Sequence, residues 1–132
     1  MASPLQPEKR EYVRVPTEVP IQYKFISSDH FQVSAGPMEG VSVDISMGGL
    51  QIVGVLPNED YIMPLLMQKI ALVICLQLPG EKDPLYAIGR VAWVDAIEGT
   101  EPKKYAVGLR FQEITRDDLD RIFYYMVHSQ LF

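Results

Sequence analysis

Cysteine is almost missing from this 132-residue chain. Cys75 stands alone in the apolar run 70–78, so no intramolecular disulfide can form, and a buried lone thiol fits a reducing compartment. Long hydrophobic runs are missing too. The longest, 61–67 and 70–76, fall far short of the roughly 20 residues that span a bilayer. The opening residues carry no apolar stretch of a secretory signal. Together these absences predict a cytoplasmic protein with no membrane insertion. An excess of positive charge is also lacking. The net charge is −5, and no basic stripe offers the phosphate neutralisation that general nucleic-acid or acidic-membrane binding needs. Metal-ligand spacing is absent: His30 and His128 lie far apart, and Asp117, Asp118 and Asp120 read as charge at a helix start. Ser46 followed by Gly48 supplies half of a nucleophile elbow, but Asp44 stands where that motif needs glycine. Neither an enzyme nor a cofactor is expected.

What is present is the balance of an ordinary globular domain, 48% hydrophobic and 22% charged, with ten prolines and nine glycines dividing it into short elements. One domain over 9–132 is expected, after a flexible tail at 1–8 in which Pro4 and Pro7 oppose regular structure. Pro16 pushes Val15 into an extended arm. Val19, Ile21, Tyr23 and Phe25 then alternate with polar residues as a strand, and 31–35 is expected to return as its hairpin partner. Further strands are predicted over 41–45, 50–55, 70–78, 85–95 and 105–111. The 70–78 run reads as covered on both faces, and Gly89 marks a bulge or a close approach. Residues 61–69 stay unassigned because Pro64 weakens a helix there. Thr115 with Asp118 three residues on starts a closing helix whose apolar face comprises Leu119, Ile122, Phe123, Met126 and Val127. Six or seven strands joined by short turns close most economically into a small antiparallel barrel.

Two polar patterns carry the chemistry. In Arg10-Glu11-Tyr12-Val13-Arg14 the arginines are four apart, so on an extended arm both point the same way. Lys9 adds a neighbouring cation. Each guanidinium fork matches the O6 and N7 acceptors of guanine, or a phosphate, or stacks on a purine face. In Asp44-Ile45-Ser46-Met47-Gly48-Gly49, Asp44 and Ser46 share a strand face. A carboxylate accepts from the N1–H and amine of guanine, and a hydroxyl bonds base or phosphate. Gly48 and Gly49 would permit positive φ and let a ring approach the backbone.

In this order, ahead of a run of strands and a closing helix, the two patterns resemble the ligand motifs of the PilZ domain, a family of small bacterial receptors for the second messenger cyclic di-GMP. The resemblance extends over nearly the whole chain, with 89–94 and 106–111 similar to two later barrel strands of the family. It implies a mainly β fold, a six-stranded antiparallel β-barrel with a C-terminal α-helix. Its ligand would lie outside the barrel between the arm and the second motif. Arg10, Arg14, Asp44, Ser46 and Gly49 would contact cyclic di-GMP, with Lys9, Gly48 and Trp93 as further candidates. It also implies a downstream protein partner, for which the exposed parts of 61–67 and of the closing helix (Tyr124, Tyr125, Leu131 and Phe132) are candidate surfaces. The competing reading is a ligand-independent protein-interaction adaptor of the same fold. The long apolar 54–69 connection departs from the family pattern.

Overall fold

The computed structural model describes residues 13–27, 33 and 36–131. Lys9, Arg10 and the tail at 1–8 lie outside the described residues, as do Phe132 and the side chain of Leu131. Seven strands form: β1 (Val15–Pro16), β2 (Pro20–Ser27), β3 (Met38–Ile45), β4 (Gly49–Gly54), β5 (Ile70–Leu76), β6 (Leu85–Ile97) and β7 (Lys104–Ile114). All pairings are antiparallel. The order β3-β2-β5-β6-β7-β4 closes through a further β3–β4 ladder into a six-stranded barrel, as expected. β1 adds a two-residue rung outside the ring, on the stretch of β3 that β2 has already left.

The period-two pattern decides what goes inside. Ile21, Tyr23 and Phe25 from β2, Leu72, Ile74 and Leu76 from β5, and Tyr105, Val107 and Leu109 from β7 are all buried, together with Val15, Ile45, Leu50 and Ile52. Tyr23 keeps its polar end satisfied in this core: its hydroxyl donates to the Val55 carbonyl at 2.5 Å. Burial pushes its pKa up to about 12, against the smaller opposing effect of that bond.

Several expectations are corrected. The 31–35 return strand lies mostly outside the described residues; at Val33 the N–H donates to the Phe25 carbonyl, while β2 takes β3 and β5 as its strand partners. Residues 59–66 fold as a 3₁₀ turn (Glu59–Tyr61) leading into a short helix, α1 (Ile62–Leu66). Pro64 is tolerated because it falls in the first turn, where a backbone N–H has no helical acceptor to lose. β5 is not covered equally on both faces: Val73 and Cys75, on the outside, are only half-buried. The bulge expected at Gly89 is present, as a register shift between Ile88 and Gly89.

The closing helix α2 (Arg116–Leu131) starts on its predicted cap, the Asp118 N–H donating to Thr115 Oγ1 at 3.1 Å. Its buried face is rotated from the predicted one. Ile122 and Met126 are buried and Tyr125 half-buried, whereas Phe123 and Val127 face solvent. Two polar anchors account for the rotation. Arg121 bonds Glu81 and Asp118 and the carbonyls of Asp83 and Pro84, and Tyr125 donates to the Pro16 carbonyl at 2.7 Å. Burial works against the Arg121 charge, but the bonds to Glu81 and Asp118 outweigh it and push its pKa up.

Candidate ligand-binding site

The site grows from the rung that β1 adds to β3. Val15, 1% exposed, plugs into the core and fixes the inward direction of the arm. Alternation then turns Arg14 outward, and its Nη1 donates to Asp44 Oδ1 at 2.9 Å. The Arg14 side chain is 56% exposed and that of Asp44 20%, so the pair itself contributes no more than about 0–1 kcal/mol to folding.

Just past this rung the chain steps from β1 to β2 through a hydrogen-bonded seam. The Thr17 N–H donates to the Val43 carbonyl at 3.1 Å and its hydroxyl to Ser42 Oγ at 2.7 Å. The buried Ser42 hydroxyl in turn donates to the Val19 carbonyl at 3.1 Å and accepts from the Val19 N–H at 3.3 Å. Glu18, between these residues, takes a left-handed φ of 51°.

Directly after the rung, where β3 ends, the Ser46–Gly49 turn is internally organised. The Ser46 hydroxyl, 3% exposed, donates to the Gly49 carbonyl and accepts from the Gly48 N–H, both at 3.2 Å. The Gly48 carbonyl accepts from the Phe111 N–H at 2.9 Å, which staples the turn to β7. The glycine pair serves a different purpose from the positive φ expected of it. Among the described residues the left-handed glycines are Gly36, Gly80 and Gly99. Gly49 is required because a Cβ there would run into the Leu109 carbonyl oxygen as β7 crosses.

Trp93 is not a core residue. It is 36% exposed, opposite Gly108 on the barrel exterior, with its indole occupying the place that a Cβ on Gly108 would take. Register connects it to the second motif: Asp44 pairs with Gln51, Gln51 with Gly108 and Gly108 with Trp93. Three interstrand spacings separate the carboxylate strand from the indole strand, about 14 Å along the barrel wall. A parallel row runs Gly49, Arg110, Arg90. Arg90 is engaged, donating to the Gln68 carbonyl at 2.6 Å.

The result is a stretch of outer wall bounded on one side by Arg14 and Asp44 and on the other by Trp93 and Arg110, with glycines at two of the positions between. Such a surface offers donor and acceptor groups at one margin and a flat aromatic face at the other. Of the sequence-predicted residues, Arg14, Asp44, Ser46, Gly48, Gly49 and Trp93 all border this wall. Sequence reasoning missed Ser42 and Arg110, and took Tyr125 for a partner surface where it anchors the helix to the arm. Only Arg110 had a legible signal, as an outward position between Leu109 and Phe111 in the cleanest alternation of the chain.

Among the described residues, no group of three or more His, Cys, Asp or Glu side chains could hold a metal ion, and no helix is long and apolar enough to cross a membrane.

A family model, PilZ domain, matches residues 8–127. Solved structures of similar fold include the inhibitor of motility MotI/DgrA of Bacillus subtilis, with 19% identity and a TM-score of 0.64 over 96% of this chain and 52% of that one. MrkH of K. pneumonia in its apo state gives 19% identity and a TM-score of 0.61 over 90% of this chain and 50% of that one. The PilZ domain of Escherichia coli YcgR, solved with c-di-GMP, gives 9% identity and a TM-score of 0.54 over 92% of each chain. The chain spans about half the length of MotI and MrkH. No curated protein sequence matches it.

Proposed function

This chain belongs to the PilZ domain family, and from that premise we propose that it is a receptor for cyclic di-GMP, holding the dinucleotide against the outer barrel wall. The observation that carries the reading is the convergence of Arg14 and Asp44. These residues, 30 apart in sequence, meet at 2.9 Å on the exterior. Arg14 supplies the fork for a guanine edge or a phosphate, and Asp44 the acceptor for guanine N1–H and amine. Trp93 supplies a face for stacking. Lys9 and Arg10, preceding Arg14, would add charge from the same arm. The YcgR domain, of the same fold, was solved with c-di-GMP.

The Ser46 hydroxyl is engaged in its own turn, so its contribution is first to shape that turn and only secondarily to offer a contact. Ligand binding orders the arm before Val15 and changes the surface a partner protein meets. Val15, which is packed into the core, is the anchor from which the arm extends. The lone Cys75 and the absence of catalytic or metal-ligand motifs in the sequence suit a cytoplasmic binding domain rather than an enzyme.

Calorimetric titration with cyclic di-GMP, with GTP as control, tests the reading. Selective saturable binding is expected, and its stoichiometry separates one bound ligand from two. No heat at several temperatures, together with no thermal stabilisation, would leave the fold as an adaptor without this ligand.

A further inference from the structure

We infer, resting on the cyclic di-GMP reading, that Arg110 is a specificity-determining residue that reads the O6/N7 edge of the guanine stacked on Trp93 and so favours guanine over adenine. Register places it there. Tyr105, Val107 and Leu109 of β7 point into the barrel, which leaves Gly108 and Arg110 on the outer wall beneath and beside the indole. Arg110 follows Gly108 by two residues, about 7 Å along the strand. That is one guanidinium reach from a ring resting on Trp93. On its other side Arg110 faces Gly49, which has no side chain to obstruct it.

The state of the neighbouring arginines supports the assignment. Arg14 is paired with Asp44, and Arg90 is committed to the Gln68 carbonyl just beyond α1. Arg110 is exposed, and among the described residues its side chain has neither a hydrogen bond nor an ion pair. Across the ladders it faces Arg90, already committed to Gln68, and Gly49, which has no side chain, so no carboxylate of its own row draws its guanidinium away from the wall.

The chemistry distinguishes the two purines. Guanine presents two acceptors, O6 and N7, on the edge that an arginine fork fills bidentately. Adenine presents N7 beside an N6 amine, a donor facing a donor. A lysine, with a compact charge, cannot reproduce the fork.

The test measures affinities for cyclic di-GMP and cyclic di-AMP by titration and competition, using wild type, Arg110→Ala and Arg110→Lys. Arg110→Ala should weaken cyclic di-GMP about tenfold or more, with little change for cyclic di-AMP, so that discrimination collapses. Arg110→Lys should remain weakened for cyclic di-GMP. Equal losses for both nucleotides, or full rescue by lysine, would show that Arg110 supplies only charge and would overturn the inference. Wild-type binding with Arg110→Ala unchanged would also overturn it while leaving the receptor reading intact. A folded wild type silent toward cyclic di-GMP would remove both.

Discussion

Arg14 and Asp44 satisfy each other, guanidinium to carboxylate at 2.9 Å. The two groups proposed to contact the dinucleotide thus hold one another on the outer wall. On that proposal, binding would exchange this exposed, weak pair for contacts to the ligand without leaving either charge unpaired.

From this exchange follows the behaviour of the two single variants. Arg14→Ala loses a charge-assisted contact of about 1.5–3 kcal/mol, so affinity for cyclic di-GMP should fall roughly 10- to 100-fold. Asp44→Ala should fall comparably. Thermal midpoints of both should stay close to wild type, because the pair is exposed. Wild-type affinity in Arg14→Ala would remove the arm from the site.

Gly108 holds Trp93 by having no side chain. Gly108→Ala should lift the indole from the wall, and since Trp93 is the only tryptophan, its emission reports the change directly. Ligand affinity in Gly108→Ala should fall about as far as in Trp93→Ala, where base–aromatic stacking accounts for about 1–3 kcal/mol. Unchanged emission and affinity would mean that the indole does not rest on this glycine in solution.

Tyr125 ties the closing helix to the arm through the Pro16 carbonyl. Tyr125→Phe removes that bond alone. It should lower stability by about 0.5–1.5 kcal/mol and speed amide exchange at Thr17, whose N–H bonds Val43 beside the rung. Exchange at Thr17 as slow as in wild type would uncouple helix and arm.

Tyr23 gives a pH signature. Its pKa is pushed up to about 12 in the folded protein, against the ordinary tyrosine value of 10.0. The folded state thus holds this proton to higher pH, and the contribution of Tyr23 to stability is intact below pH 10 and lost as pH rises toward 12. Two pH units at 1.36 kcal/mol each correspond to about 2–3 kcal/mol. Denaturation of wild type and Tyr23→Phe across this window should show a steeper loss in wild type. Parallel curves would place the phenol in contact with water.

Much of the fold was legible because a barrel strand writes its inside and outside in alternate residues. Tyr105, Val107 and Leu109 are unambiguous, as is the Thr115 cap, since cap chemistry is local. The buried face of α2 was not legible. Phe123 is as apolar as Ile122, and the choice between them was made by Arg121 and Tyr125 reaching non-local carbonyls. Trp93 could be named as a candidate, but its seat on the wall could not be read, for a similar reason: it depends on Gly108, a partner on another strand. At the site, Arg14 and Asp44 could be chosen by residue type and spacing. Arg110 could be placed there only once β4 and β7 were in register, and the seam at Ser42 joins residues more than twenty apart.

The closure of β4 onto β3 has a consequence for recognition by other proteins. Every barrel strand has a hydrogen-bonded neighbour on each side, and the carbonyl of Pro16 on the added rung is already taken by Tyr125. The β5–β6 ladder, however, ends at Gly89, so the far half of β6, from Val91 to Ile97, has a strand neighbour only in β7 and is a stretch of the ring along which a partner strand could add. Where both ladders of a strand are filled, any recognition has to pass through outward side chains rather than backbone.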